Sequence, residues 1–392
     1  MIIVADENMP LVAEYFGSLG TVRRVNGRQL RKQDLMDADV LLVRSVTAVN
    51  KALLDGTPVR FVGTATIGTD HIDTDWLVQQ GIRFAAAPGC NAASVVQYVL
   101  SLLVLHAQFR HLDTLTGLKA GIVGAGNVGG RLAATLEALG VEVVVSDPPR
   151  EAAGAATAGR YGRLDEVLDC DLVSLHTPLT RSGPCPTFHL LAAPQLAGLR
   201  AGQLLVNSGR GPVIDNAALQ HRLSLENPPT VALDVWEWEP AVTSELASRC
   251  WLGTPHIAGY SLEGKSRGTD MIYRALCSYL GQPPAQQLEG LLPPAPVYRL
   301  QAPDLASPVQ ALTRSLLACY DPREDDARFR PILALPEQAQ REAFDALRRN
   351  YPVRREPSSV ALEIEGGPAA VTGPVARALK AAGFPVDSAA LQ

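Results

Sequence analysis

This chain of 392 residues predicts an α/β protein built on two doubly wound parallel sheets, with an added α+β segment at its C-terminus. Three observations carry that prediction. Short apolar runs alternate with helical patterns over the first ninety or so residues, and do so again between Lys119 and Tyr260. A glycine loop sits between a strand and a helix at the start of the second series. From Gln282 onward prolines interrupt the pattern, and a different texture follows. Strands alternating with helices argue for a parallel sheet covered on both faces.

In the first series, Ile2–Val4, Val40–Val43, Phe61–Val62 and Ile82–Ala85 read as strands. Leu11–Leu19 and Trp76–Gln80 read as helices, stopped by Gly20 and Gly81. Two loops follow strands, the place where open α/β sheets bind ligands. They are Arg44-Ser45-Val46-Thr47 and the stretch from Gly63 to His71, which contains Thr66. Their hydroxyls and the arginine suit an anionic, oxygen-rich ligand. The same residue types also satisfy turn backbone, so this chemistry alone leaves both readings open. The apolar stretch that follows predicts a long helix over Ala92–Gln108.

The second series opens on Ala120–Val123, a short buried strand, followed by Gly124, Gly126 and Gly129 in G-x-G-x-x-G spacing. A helix follows over Val128–Leu139, then a strand over Val141–Val145 that ends at Asp147. This is a dinucleotide-binding pattern in full context. The first glycine permits the turn, the second admits the pyrophosphate, and the third lets helix and strand pack closely. Asn127 and Val128 open the helix, whose N-terminus offers N–H groups to phosphates. Asp147 stands 18 residues past Gly129, placed to accept from ribose hydroxyls.

Three further strands are expected at Asp171–His176, Leu204–Asn207 and Val231–Val235. Each ends in polar residues, on the edge that carries the glycine loop. Ala156–Arg163 reads as a loop. Arg210, Glu239 and His256 follow successive strands and form the candidate catalytic set. Alcohol oxidation beside a nicotinamide needs a base, and histidine titrates in the right range. A carboxylate on the ring's other nitrogen fixes its tautomer. Arginine grips a carboxylate with two prongs.

Composition excludes other classes. Net charge is −5 with no basic block, so the footprint of a nucleic-acid binder is missing. The six cysteines show no metal spacing, and no metal is expected. The apolar stretch Val95–Ala107 is interrupted by polar residues and shorter than a span needs. A cytoplasmic protein without membrane partners is expected.

The motifs Asn207-Ser-Gly-Arg-Gly211, Asp234-Val-Trp-Glu-Trp-Glu-Pro240 and Pro255-His-Ile-Ala-Gly259 resemble the D-isomer-specific 2-hydroxyacid dehydrogenases. That resemblance covers residues 1 to about 280. It implies a flavodoxin-like substrate domain and a Rossmann domain for NAD. Arg210 would orient the substrate carboxylate, Glu239 would support His256, and His256 would be the acid/base. Thr177, Ser208, Arg210, Asp234 and Gly259 would line the cofactor, Asp234 at the carboxamide, and Asp147 would favour NAD over NADP.

Narrower motifs resemble the erythronate-4-phosphate dehydrogenase family: Val4–Pro10, Val43–Thr47, Gly63–His71, Ala87–Asn91 and Ile257–Lys265. That resemblance implies oxidation of 4-phospho-D-erythronate on the route to pyridoxal 5′-phosphate, by a homodimer paired through its C-terminal domain. It points to Ser45, Thr66 and Tyr260 as substrate contacts, with Arg44 as a phosphate partner. Trp238 departs from that family, which carries a small residue there, and is expected to narrow or cover the site. Another 2-hydroxyacid dehydrogenase, such as a phosphoglycerate dehydrogenase, and a non-catalytic NAD-sensing corepressor are the rival readings.

The expected domains are therefore 1–92, completed by 257–281, for substrate; 93–256 for NAD; and 282–392 for dimerisation. The last contains helical stretches near Pro308–Cys319 and Glu337–Asn350, and a strand near Ser359–Ile364.

Overall fold

The structure, a computed structural model, describes residues 1–365, 367, 371 and 373–386. Two compact units emerge: Met1–Asn91 with Tyr260–Pro294, and Ala92–Gly259 with Ala295–Gln392.

The first unit holds a five-stranded sheet of β1 (Ile2–Asp6), β2 (Thr21–Val25), β3 (Val40–Val43), β4 (Phe61–Thr64) and β5 (Arg83–Ala86). All pairings are parallel, in the order β2-β1-β3-β4-β5. This is the flavodoxin-like order. Alternation along each strand feeds two cores. Ile3, Ala5, Val40, Leu42 and Phe61 face one core, while Val4, Leu41, Val43 and Val62 face the other. The helix Leu262–Tyr279 covers the first face with Ile272, Tyr273, Leu276 and Cys277. Its start is capped by Ser261, whose Oγ accepts from Gly264 N–H at 2.8 Å.

Strand β2 was not expected, and its residues explain why. Arg23 and Arg24 sit in its middle, pairing with Asp37 and with the Glu7 carbonyl. Charges at a sheet margin discourage edge-to-edge pairing and hide the strand's pattern.

The second unit holds seven parallel strands: β6 (Lys119–Val123), β7 (Glu142–Ser146), β8 (Arg160–Tyr161), β9 (Leu172–Leu175), β10 (Leu204–Asn207), β11 (Thr230–Leu233) and β12 (Leu252–Gly253). Their order is β12-β11-β10-β9-β6-β7-β8. The direction of winding reverses between β6 and β9, so the glycine loop after β6 lies at the switch point where such sheets bind dinucleotides. The stretch Ala156–Arg163, expected as a loop, contributes the two-residue edge strand β8. A Cβ on Gly159 (φ +71°) would meet the Val143 carbonyl at 2.3 Å, so a glycine allows that close approach.

The helix Ala92–Phe109 is long and apolar enough to cross a membrane by length and composition, yet most of its side chains are buried inside this unit. The C-terminal segment, expected as a separate third domain, groups with this unit. Its apolar residues explain the grouping. Phe329, Ile332 and Phe344 share one core with Leu233, Trp236, Val242 and Leu246. Helices Pro308–Cys319, Pro322–Phe329, Glu337–Arg349 and Gly373–Ala381 accompany a parallel ribbon of β13 (Val297–Leu300) and β14 (Ala361–Ile364). Residues 387–392 of the expected C-terminal domain lie outside the described residues.

Candidate active site

The glycine loop is built as its spacing requires. Gly124 has φ +88°, a left-handed backbone that favours glycine. A Cβ on Gly129 would sit 1.8 Å from the Gly124 carbonyl oxygen, so the helix could not approach the strand. A Cβ on Gly126 would meet nothing within 4 Å, which leaves open space at the N-terminus of helix Asn127–Ala138. Asp147 is tied to this loop. Its Oδ2 accepts from Ala125 N–H at 2.8 Å, and its Oδ1 accepts from Arg150 N–H at 3.2 Å. Beside the loop, Thr177 Oγ1 and Ser208 Oγ are buried without a hydrogen-bond partner. Buried polar groups are normally paired, so these two hydroxyls, with the open glycine and the helix N-terminus, fit a bound dinucleotide.

The candidate catalytic pair is in contact. His256 Nδ1 lies 2.5 Å from Glu239 Oε1. Glu239 Oε2 accepts from Trp236 N–H at 3.1 Å, which fixes the carboxylate to the loop after β11. Burial pushes the Glu239 carboxyl up. The charge and hydrogen bond of His256, the charge of Arg348 and the Trp236 N–H outweigh that, and the net direction is below the ordinary value. The carboxylate is therefore the charged partner of the ring.

His256 has φ +57°, a left-handed conformation uncommon outside glycine. What holds it there is Asp234. The Asp234 carbonyl accepts from His256 N–H at 2.7 Å. Its buried carboxylate accepts from Thr254 Oγ1 and Ile257 N–H at 2.7 Å each, and from Ala258 N–H at 2.9 Å. Burial raises the Asp234 carboxyl above its ordinary value, against the pull of the His256 charge and these donors. Residues held in sparsely populated backbone regions cluster at functional sites.

Arg210 follows β10, the strand next to β11. Its loop is set by Asn207, which donates to the Arg210 carbonyl at 3.0 Å and accepts from Gly209 N–H at 3.1 Å. Arg210 Nη1 donates to the Gly209 carbonyl at 3.0 Å. Among the described residues one group, His189, Asp215 and Glu237, lies close enough to hold an ion. Hydrogen bonds already join it: His189 Nε2 to Glu237 Oε1 at 2.7 Å, and Asn216 N–H to Glu237 Oε2 at 3.1 Å.

In the first unit, the loops after β3 and β4 carry the other candidates. Arg44 Nη2 is 3.5 Å from the Tyr260 hydroxyl. Lys265 Nζ lies over the Tyr260 ring, 4.2 Å from its centre. Ser45 is exposed on the Arg44 loop. Thr66 Oγ1 is 2.7 Å from Thr64 Oγ1 and donates to the Gly68 carbonyl. Thr64 Oγ1 also contacts His71 Nε2 at 3.0 Å.

Comparison with known proteins agrees with this geometry. Residues 103–258 match the family model for the D-isomer specific 2-hydroxyacid dehydrogenase, NAD binding domain. The erythronate-4-phosphate dehydrogenase of Marinobacter nauticus is 54% identical over 366 residues, covering 93% of this chain and 95% of that protein. The one from Pseudomonas syringae pv. syringae is 51% identical over 367 residues, covering 93% and 96%. The chain belongs to the erythronate-4-phosphate dehydrogenase family, within the D-isomer-specific 2-hydroxyacid dehydrogenases. A solved D-lactate dehydrogenase from Aquifex aeolicus, complexed with NAD and lactic acid, shares the fold. It superposes with TM-score 0.58 at 22% identity, covering 72% of this chain and 96% of that one. Residues 291–372 match a domain of unknown function, DUF3410.

For a member of the erythronate-4-phosphate dehydrogenase family, NAD is the cofactor, and Thr177, Ser208 and the glycine loop are the candidate residues to hold it. Sequence reasoning missed Thr254, Asn207 and Lys265 as parts of the site. Thr254 acts on Asp234, twenty residues away, through a bond that no spacing rule encodes, and Asn207 acts on the loop that follows its own strand. Lys265 lay inside a motif already quoted, and its positive charge five residues after Tyr260 was the available signal. Trp238, expected to narrow or cover the site, is 66% exposed, and the Glu239–His256 bond forms beside it.

Proposed function

We propose that this chain uses NAD to oxidise 4-phospho-D-erythronate to 3-hydroxy-2-oxo-4-phosphooxybutanoate, on the route to pyridoxal 5′-phosphate. The observation that carries the reading is the Glu239–His256 pair. Because Glu239 occupies Nδ1, the ring's proton stays on that nitrogen, and Nε2 keeps the lone pair that a base needs. His256 Nε2 takes the C2 hydroxyl proton as the C2–H bond breaks and the C2–O bond becomes a carbonyl. Bound NAD supplies the acceptor for the departing hydride. Glu239 stabilises the imidazolium that results. Arg210 holds the substrate carboxylate and carbonyl oxygen by paired charge-assisted hydrogen bonds.

Asp147, which already accepts two backbone N–H groups, offers its remaining acceptor positions to the adenosine ribose. Asp234 accepts one bond at Oδ2, from Ala258, and would accept a second there from the carboxamide. On the first unit, Arg44 with Ser45, Thr66 and Tyr260 would bind the phosphorylated end of the substrate, with Lys265 adding a second cation. The test is NADH formation from erythronate phosphate, phosphoglycerate and unphosphorylated hydroxyacids supplied in turn. Erythronate phosphate should give the highest kcat/KM. Preference for phosphoglycerate would overturn the substrate assignment, and no turnover with any acid would favour a sensing role.

A homodimer through the C-terminal segment is part of this proposal. The two-stranded ribbon β13–β14 has edges to pair, and Val297 on it is 51% exposed. Isolated two-stranded sheets are marginal in water. Sedimentation should give twice the chain mass, and Val297→Asp should shift the protein toward monomer.

A further inference from the structure

The segment that carries Asp234, Glu239 and His256 is gripped from behind by the C-terminal part of the same chain. Val242 stands three residues after Glu239. Its N–H donates to Gln340 Oε1 at 2.8 Å, and its carbonyl accepts from Gln340 Nε2 at 3.1 Å. Gly253 stands three residues before His256. Its N–H donates to Asp326 Oδ1 at 2.8 Å. Asp326 is itself held by Arg330 Nε, at 2.9 and 3.1 Å from its two oxygens. The Arg330 guanidinium then donates to the carbonyls of Ala247 and Cys250 at 2.9 Å each. Three residues before Glu239, Trp236 stacks on Phe329 with ring centres 5.3 Å apart. Trp236 Nε1 donates to the Thr254 carbonyl at 3.0 Å, so the stack leads back into the loop that Asp234 clamps.

Gln340 is 4% exposed and Phe329 is fully buried. A buried amide that reads both polar groups of one loop residue has a single geometry available. All of these contacts lie within one chain. They bracket the catalytic pair at equal sequence distance on each side.

We infer that the C-terminal segment is a positioning element for the catalytic loop, with Gln340 and Asp326 setting the separation of Glu239 from His256. This rests on the reading of the site as a hydroxyacid dehydrogenase. Neither residue touches substrate or cofactor in this account; both act through the loop. Misplacement of reacting groups by about 1 Å costs on the order of 10²-fold in rate, so a partial loosening should be visible well before unfolding.

The experiment uses the full chain in three forms: wild type, Gln340→Ala and Gln340→Glu. Gln340→Glu keeps an acceptor for Val242 N–H and loses the donor to its carbonyl. Two readouts are taken: kcat and KM for NADH formation, and the titration of the His256 ring followed by NMR without substrate. The charged groups acting on that ring and its partner are Glu239, Asp234 and Arg348. Gln340→Ala should lower kcat about tenfold with KM for NAD within twofold, and the His256 titration should move to more acidic pH as Glu239 loses its alignment. Gln340→Glu should fall between the two. Arg163→Ala, an exposed change in neither anchor nor ribbon, should leave both readouts at wild-type values.

Wild-type kcat and titration in a folded Gln340→Ala would overturn the inference. So would a kcat loss matched by an equal loss of folded protein, which means a purely structural role. If Gln340→Ala does not fold, Gln340→Glu decides on the same criteria, and failure of both to fold counts against positioning. Absence of turnover in the wild type would sink the functional reading while leaving the titration to judge the brace.

Discussion

The two large sheets of this molecule treat their polar residues in opposite ways. In the seven-stranded unit, the carboxylates are fixed by backbone donors: Glu239 by Trp236 N–H, Asp147 by Ala125 N–H, Asp234 by Ile257 and Ala258 N–H. In the five-stranded unit, the candidate ligand groups are half-buried or exposed, and Arg44 meets Tyr260 side chain to side chain at 3.5 Å. The difference follows from what each must do. Proton transfer needs donor and acceptor within hydrogen-bond reach. A phosphate tolerates more latitude, because it presents several oxygens to long, mobile cations.

If that division is right, changes in the two units should fail differently. The largest effect should come from His256→Ala, which removes the proton's acceptor. General acid/base catalysis is typically worth ~10²–10⁴-fold, and a loss of that order is expected in kcat, with NAD affinity by fluorescence titration nearly intact. Near-normal turnover would mean another residue is the base. Next comes Arg44→Ala. A hydrogen bond to a charged group contributes about 1.5–3 kcal/mol, so KM for the phosphorylated acid should rise roughly 10- to 100-fold while kcat stays close to wild type. A fall in kcat with constant KM would place Arg44 in the chemistry instead.

Cofactor choice should show a smaller effect. The 2′-phosphate of NADP would meet the Asp147 carboxylate, already committed to two backbone donors, and like charges repel. At equal concentration NADP should support at most about a tenth of the turnover with NAD, a difference of ~1.4 kcal/mol. Equal turnover would remove Asp147 from the discrimination.

The last effect concerns stability rather than rate. His106 is buried against Trp251. Burial first, and the Arg110 charge second, lower its pKa to about 4. A folded value below the unfolded one means the neutral ring stabilises fully above pH ~6.5 and loses that contribution as pH falls toward 4. Over that window the unfolding free energy should fall by up to ~1.4 kcal/mol per pH unit from this group. His106→Gln should flatten the slope of melting temperature against pH there, and an unchanged slope would assign the acid sensitivity elsewhere.

Much of this was legible in the sequence because periodicity and glycine spacing are local. The loop from Gly124 to Gly129 and the central strands of both sheets announce themselves within a dozen residues. Arg210, Glu239 and His256 were legible through position, each following a strand on one sheet edge. What was not legible is non-local or lies at a margin. Strand β2 hid behind Arg23 and Arg24, and β8 and β12 are two-residue edges with no pattern to show. Helix Leu262–Tyr279 starts with small and polar residues, so its apolar face appears only when it meets Tyr15 and Phe16. The hold of Gln340 on Val242 spans 98 residues, and no local rule reaches that far.

The claim at the centre of this account is that Glu239 and His256 work as one unit. It is tested by the pH–rate profile of Glu239→Gln against wild type, in the oxidation direction. A nearby anion favours the protonated ring, so removing it lets the base lose its proton more readily. The acidic limb of the variant should therefore move to lower pH, with turnover between wild type and His256→Ala. A limb that stays where the wild type has it would show that the two residues are not paired in the working enzyme.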